Sequence, residues 1–272
     1  MKLASLFAFV PWIVSAEAGP VQVIGSDSMV VLAAEWAEAH RKPVEVSGGG
    51  SGVGVAALLN GSADIATVAR PLEQGESEAL TKQFGAAPVV TKVVHEALAV
   101  FVHKDNPVSR ISIDELRGIY GAGGKIDNWS QLGGTPASQI APLARHSNSG
   151  AYFYFRETVL GKRAEFKEGI REFSGSPDTV KLIATTPTAI GFAPPPYQRD
   201  GVKPLALSSA PEREPVLPTT KTIRDGSYPI SRPLYFVSSP KASAETKKFI
   251  EFVLSKEGQS VAAKQGYTAL GD

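Results

Sequence analysis

Residues 21–60 read VQVIGSDSMVVLAAEWAEAHRKPVEVSGGGSGVGVAALLN, and the stretch makes the same statement twice. Val21–Ile24 is a short β-rich run that ends on Gly25-Ser26-Asp27-Ser28. Met29–His40 then carries Leu32 and Trp36 at helical spacing, with Glu35 and Glu38 on another side. Val44–Val46 is a second strand, Ser47–Gly52 a Ser/Gly turn, and Val53–Asn60 a helix that Gly61 stops. Strand, polar turn and helix in repetition predict an α/β fold with mostly parallel sheets.

The rest of the chain extends the pattern. Asp64–Val68, the almost wholly apolar Ala97–Val102, Ile140–Leu143 and Ala189–Phe192 read as further strands. Ser112–Tyr120 reads as a helix with Ser112 and Glu115 as a capping box. Tyr152–Leu160, Asp178–Ala184 (behind Pro177), Lys247–Leu254 and Gln259–Lys264 read as helices. The aromatic run Tyr152, Phe153, Tyr154 and Phe155 is expected to pack in the core. The proline-studded stretches 194–196 and 204–218 read as connections.

Composition bounds the function. The 272 residues carry 28 Lys+Arg against 27 Asp+Glu, a net charge of +1, which excludes a nucleic-acid binder working through bulk electrostatics. Without cysteine there is no disulfide, thiolate metal site, Cys nucleophile or lipid-modified N-terminal Cys. His40, His95, His103 and His146 are scattered, so no metal and no cofactor is expected. Met1-Lys2, the apolar run Leu3–Val14 and the small-x-small pattern Ser15–Ala18 predict an export signal cut after Ala18 or Ala16. That run is shorter than the ~20 residues of a spanning helix. Removing residues 1–18 takes away Lys2 and Glu17 and leaves the charge at +1. A periplasmic or secreted monomer is the expectation.

Three turns share one chemistry: Ser26–Met29, Ser47–Gly52 and Ser147–Ala151. Each follows a strand, contains Ser, and opens a helix. A helix start exposes unpaired N–H groups and partial positive charge. Any one such turn is explained as a cap, whereas three at the carboxyl ends of strands in one α/β chain point to an anion. Arg70 follows the third strand and Arg145 opens the third turn, and both are candidate counter-charges. His146 beside Arg145 is a weaker candidate, with a surface role as the alternative. Gly52–Ala57 fits a dinucleotide fingerprint, but that signal is weak by itself and the preceding loop is too wide. No P-loop Lys and no Gly-x-Ser-x-Gly elbow occurs.

These turns resemble those of the phosphate-binding proteins that serve ABC phosphate transporters. The similar pieces are Gly25–Met29, Ser47–Gly54, Asp64–Pro71, Leu98–Val100, Asn106-Pro107, Asn128-Trp129, Arg145–Gly150, Ala189–Phe192, Tyr228–Tyr235 and Gly266-Tyr267. The resemblance implies a periplasmic binding protein-like fold of two α/β lobes, joined by a hinge and closing on one dehydrated oxyanion. Residues 19–102 and 227–272 would form one lobe and 103–226 the other. It implies phosphate ligands at Ser28, Ser51, Arg145, Ser149 and Gly150, with the N–H groups of Met29 and Ala151 as donors; Gly52 in the second turn and Arg70 past the third strand complete the expected phosphate site from their own positions. Its partners would be inorganic phosphate and an ABC permease, with no catalysis.

Four positions depart from the family pattern. Ser28, Val53 and Ala151 stand where Thr is usual, and Ala69 stands where the family has Asp or Ser, the Asp accepting the proton of hydrogen phosphate. Asp27 is the candidate replacement acceptor. A sensor or scaffold with a weakened site is therefore the alternative reading, and a secreted phosphatase lacks an evident nucleophile–base pair. Mass spectrometry of the exported protein should find a chain beginning at Gly19 or Glu17; a retained Met1 would overturn the signal-peptide reading.

Overall fold

The structure, a computed structural model, describes residues 19–134, 138–147 and 149–271. The export signal expected over residues 1–18, and Asn148 of the third turn, lie outside those residues. In chain order the strands are β1 (Val21–Gly25), β2 (Val44–Ser47), β3 (Ile65–Val68), β4 (Val89–Ala97), β5 (Ala99–His103) and β6 (Arg110–Ser112). They continue with β7 (Ala141–Arg145), β8 (Arg171–Phe173), β9 (Ala189–Ala193), β10 (Val202–Pro204), β11 (Ala206–Ser208) and β12 (Ser231–Ser238). The helices are α1 (Val30–His40), α2 (Ser51–Asn60), α3 (Gln74–Phe84), α4 (Ile113–Tyr120) and α5 (Gly150–Phe155). After them come α6 (Ser176–Ile183), α7 (Thr220–Arg224), α8 (Ala244–Leu254) and α9 (Lys256–Lys264).

Two five-stranded sheets organise the chain, in the orders β2-β1-β3-β12-β4 and β10-β5-β9-β7-β8. In each, four strands run one way and one, β12 or β5, runs against them, so the sheets are mostly parallel as expected, with one reversed strand apiece. In the first, β1 runs parallel to β2 and β3, while β12 is antiparallel to β3 and β4. In the second, β7 is parallel to β8 and β9, while β5 is antiparallel to β9 and β10. The cause is the way strands arrive. Those joined by a helix come back parallel, whereas β5 and β12 enter their sheets straight from the other lobe.

The apolar run read as one strand over Ala97–Val102 is cut by a change of sheet. β4 ends at Ala97 in the first sheet and β5 begins at Ala99 in the second. The chain thus leaves the first sheet at Leu98, earlier than the expected boundary after Val102. It returns at Ile230, just before β12. The two passages are bonded together: Leu98 N–H donates to Ile230 O at 3.1 Å, and the buried Tyr228 hydroxyl donates to Leu98 O at 3.1 Å.

Each sheet is covered by its own helices. Trp36, Phe249 and Val253 pack with Val23, Ile65 and Phe236 on one face of the first sheet, and Trp36 donates to Gly258 O at 2.7 Å. Val55, Leu58 and Leu80 cover the other face over Val68 and Val237. The largest cluster lies in the second lobe around Tyr120, Phe155 and Phe192, with the Phe155 and Phe192 rings stacked at 3.8 Å. The Ser112–Glu115 capping box forms as the sequence predicts, the Ser112 hydroxyl accepting from Glu115 N at 3.2 Å. The helix read over Tyr152–Leu160 is α5 followed by one π-helical turn, Arg156–Leu160. Of its aromatic run, Tyr152, Tyr154 and Phe155 are buried, but Phe153 is exposed.

Gly54 sets how closely α2 approaches β1. A Cβ there would lie 2.5 Å from Ile24 O and 2.8 Å from Gly25 Cα, both backbone atoms that cannot yield. Gly75 in α3 faces open space. Alanine in a helix ordinarily stabilises by up to ~1 kcal/mol over glycine, so Gly75→Ala should raise the melting temperature. Gly54→Ala should lower it, by ~1–3 kcal/mol of overpacking. Urea denaturation of both variants checks the opposite signs.

Candidate functional site

The three Ser-bearing turns lie at the carboxyl ends of β1, β2 and β7 and meet between the sheets. A cleft of about 530 Å³ is lined by Asp27, Ser28, Ser51, Gly52, Arg70 and Arg232 from the side of the first sheet, and by Gly150, Phe153, Tyr154, Arg156, Glu157 and Lys162 from the side of the second. A second cavity of about 250 Å³ shares Asp27, Ser28 and Gly150 and adds Arg145, Ser149 and Ala151. Ser28 and Gly150 form the partition. A Cβ on Gly150 would sit 3.0 Å from Ser28 Cα, so only glycine lets these two turns come so close. A cavity of about 650 Å³ elsewhere on the second lobe, between Ile126, Lys167 and Leu182, contains none of these residues.

The serine hydroxyls share one property. Ser51 Oγ accepts from Ala69 N at 3.1 Å, Ser149 Oγ from Tyr152 N at 3.1 Å, and Ser28 Oγ from Arg232 Nη2 at 2.9 Å. Backbone N–H and guanidinium groups are donors only, so each hydroxyl is held by an oxygen lone pair and keeps its own proton to give. Three such protons along two adjoining cavities suit a ligand that is all acceptor. The first turn of α2 adds N–H groups of Ser51, Gly52 and Val53 that no helical carbonyl can reach.

The turns are tied to one another by backbone. Gly50 N donates to Gly25 O at 2.9 Å, and Gly49 N donates to Asp27 Oδ1 at 2.9 Å. Asp27 therefore braces the glycine turn with one carboxylate oxygen while lining both cavities with its side chain. Tyr267, from the chain's last residues, donates its hydroxyl to Ser28 O at 2.6 Å.

The expected residues differ in availability. Arg145 is held by the β8–α6 connection, donating to Phe173 O at 3.3 Å, Ser174 O at 2.8 Å and Ser176 Oγ at 2.7 Å. Five guanidinium donors leave some over for a ligand, and burial lowers its basicity. Arg70 reaches the cleft but is engaged by Glu76 in a two-pronged pair, both bonds at 2.8 Å. The Glu76 hydrogen bond raises Arg70 above its ordinary value, and Arg70 lowers Glu76 in return. Met29 lines neither cavity: its side chain is fully buried and its N–H is donated to Ser26 O at 2.9 Å. The short 3₁₀ turn Asp27–Met29 uses that donor itself. His146 is exposed and lines neither cavity.

Several cleft residues were not found in the sequence. Arg232, Tyr154, Glu157, Arg156 and Lys162 come from β12 and the segment after β7. The Tyr228–Tyr235 motif contained Arg232, but nothing in its spacing tied that residue to Ser28. No His/Asp/Glu cluster suited to a metal occurs among the described residues.

A model of the PBP superfamily domain matches residues 14–257. The chain belongs to that superfamily. The phosphate-binding protein PstS of Pseudomonas aeruginosa is 31% identical over 94% of this chain and 84% of the relative. Its counterpart in Bacillus subtilis is 32% identical over 93% and 82%. Among solved structures, a possible phosphate binding protein from Planctomyces limnophilus superposes with a TM-score of 0.84 at 25% identity, covering 93% of this chain and 94% of that one. An ABC-type phosphate transport receptor from Vibrio cholerae gives a TM-score of 0.71 at 27% identity over 92% and 100%. The family expected from the turns is the family found, and the two-sheet architecture is the one its members share.

Replacing Gly150 should force the partition apart. With Gly150→Ala, amide shifts of Ser28 and Ser51 should change in NMR spectra and the radius of gyration should rise in small-angle scattering. An unchanged radius together with unshifted Ser28 would show that the turns do not meet here in solution.

Proposed function

We propose that the protein is an exported receptor that captures inorganic phosphate between its lobes and delivers it to an ABC permease. The observation that carries this is the common orientation of the Ser28, Ser51 and Ser149 hydroxyls, each accepting from the protein and each with a proton left to donate. The names of the relatives point to the same ligand, and a Clostridium perfringens chain with a TM-score of 0.62 and 29% identity was solved with phosphate bound.

The physical sequence is capture without chemistry. Phosphate sheds its water into a cleft where hydroxyls, the start of α2, the backbone of Gly150 and Ala151, and Arg145 replace it. Arg70 contributes less, because Glu76 already balances its charge. Closure turns on the paired passages at Leu98 and Ile230, with residues 19–97 and 231–272 as one lobe. The signal peptide is removed, and the monomer works in the periplasm or outside the cell.

Asp27 is the acceptor for a protonated phosphate oxygen. Gly49 occupies its Oδ1, which leaves Oδ2 to face the ligand. That role compensates for Ala69, which has no side-chain acceptor, and disfavours sulfate.

Isothermal titration tests the whole reading. Phosphate should bind at micromolar concentration or below, and saturation at 100-fold over Kd should add ~2.7 kcal/mol to stability. Arg145→Ala and Ser51→Ala should each weaken binding by ~10- to 150-fold, from ~1.5–3 kcal/mol for a hydrogen bond to a charged group. Asp27→Asn should bring phosphate and sulfate affinities together. Absence of phosphate binding, with the fold intact, would leave the sensor or scaffold reading that Val53, Ala69 and Ala151 motivate.

A further inference from the structure

Arg232 lies on β12 in the first sheet, yet it touches both lobes. Its Nε and Nη2 each lie 2.8 Å from Glu96 Oε2, and Nη2 donates to Ser28 Oγ at 2.9 Å. From the other lobe comes the Tyr154 ring, whose centroid is 3.9 Å from the guanidinium carbon that sits over it. Glu157 Oε2 is 3.8 Å from Nη1, beyond hydrogen-bond reach, and Nη1 makes no hydrogen bond among the described residues. Glu96 is buried, and desolvation raises its carboxyl against the pull of Arg232.

We infer that Arg232 is a clasp that couples lobe closure to the ligand site: it orients Ser28 as a donor and docks on Tyr154 only when the lobes are shut. The ligand half of this inference rests on the phosphate reading; the clasp half does not. A guanidinium is needed because it hydrogen-bonds Glu96 and Ser28 while its carbon sits over the Tyr154 ring. An ammonium lacks both the fork and the flat surface. Opening the lobes separates Arg232 from Tyr154 while Glu96 and Ser28, on its own side, stay with it. Cation–π contacts of this kind shift an equilibrium by about 2- to 30-fold. Closure therefore has a contact of its own that does not involve the anion. Because Arg232 can only donate, Ser28 Oγ must accept and turn its proton elsewhere.

The chain has no cysteine, so spin labels at Lys82→Cys on α3 and Lys181→Cys on α6, both exposed, report the interlobe distance without background. Arg232→Gln would leave Glu96 buried without a partner and endanger folding, so the variants are Arg232→Lys and Tyr154→Leu. Tyr154→Leu leaves the Glu96 pair untouched. In ligand-free protein both should move the electron–electron resonance distance distribution toward longer, open separations. In phosphate titrations Arg232→Lys should weaken binding at least 10-fold in the parent chain. It should weaken binding under 3-fold more when Ser28→Ala is already present, because the hydroxyl it orients is gone. Unchanged distances in both variants would overturn the clasp. Independent, multiplying losses from Arg232→Lys and Ser28→Ala would overturn the coupling to Ser28. If the parent chain binds no phosphate, the functional reading falls, and the distances still decide the clasp.

Discussion

A hydrogen bond from Leu98 N–H to Ile230 O is the point on which the architecture turns, because it fastens the two places where the described chain passes between its two five-stranded sheets. Everything else in the fold sits on one side of it or the other. Tyr228 locks the same spot from beneath by donating to Leu98 O. With the passages pinned together, the lobes share an axis, and the strand ends that face each other across it are the carboxyl ends of β1, β2 and β7. The site is thus a consequence of topology before it is one of side chains.

Side chains then decide what the cleft can hold. Its chemistry is set less by net charge, which is close to zero over the whole chain, than by the direction in which small dipoles point. A hydroxyl in water offers either end. One that already accepts from a fixed N–H offers only its proton, and it pays little reorganisation when an anion arrives. Arg145 and Arg232 supply formal charge, but both are held by protein partners before any ligand comes. Such preorganisation is what lets a near-neutral protein compete with water for a small anion.

The local grammar of this architecture was legible in the sequence. Strand, Ser/Gly turn and helix recur with the right periodicities, and the Ser112–Glu115 cap announced α4. What escaped had no local signature. The helix α3 is polar with only Leu80 buried, and it begins on an unusual Glu73 cap. The run around Leu98 is apolar throughout because both sheets bury it, so no residue marks the change of sheet. Pro233 sits inside β12 and obscured its reading as a strand. Strand direction depends on how the chain returns, which composition does not record. In the site, the Ser and Gly turns were visible as turns, whereas Arg232 meets Glu96 across 136 residues and Ser28 across 204. Separations of that size leave no spacing to read.

The position of β12 bears on the order in which this protein comes into being. It is inserted between β3 and β4, so the first sheet has a gap until residues 231–238 are available. Ser28, near the beginning of the chain, receives its last two supports from Arg232 and Tyr267, near the end. A polypeptide threaded outward from its N-terminus therefore delivers the completing pieces last. Such long-range closure folds slowly. Until it is complete, the emerging chain has neither a closed first sheet nor a supported Ser28.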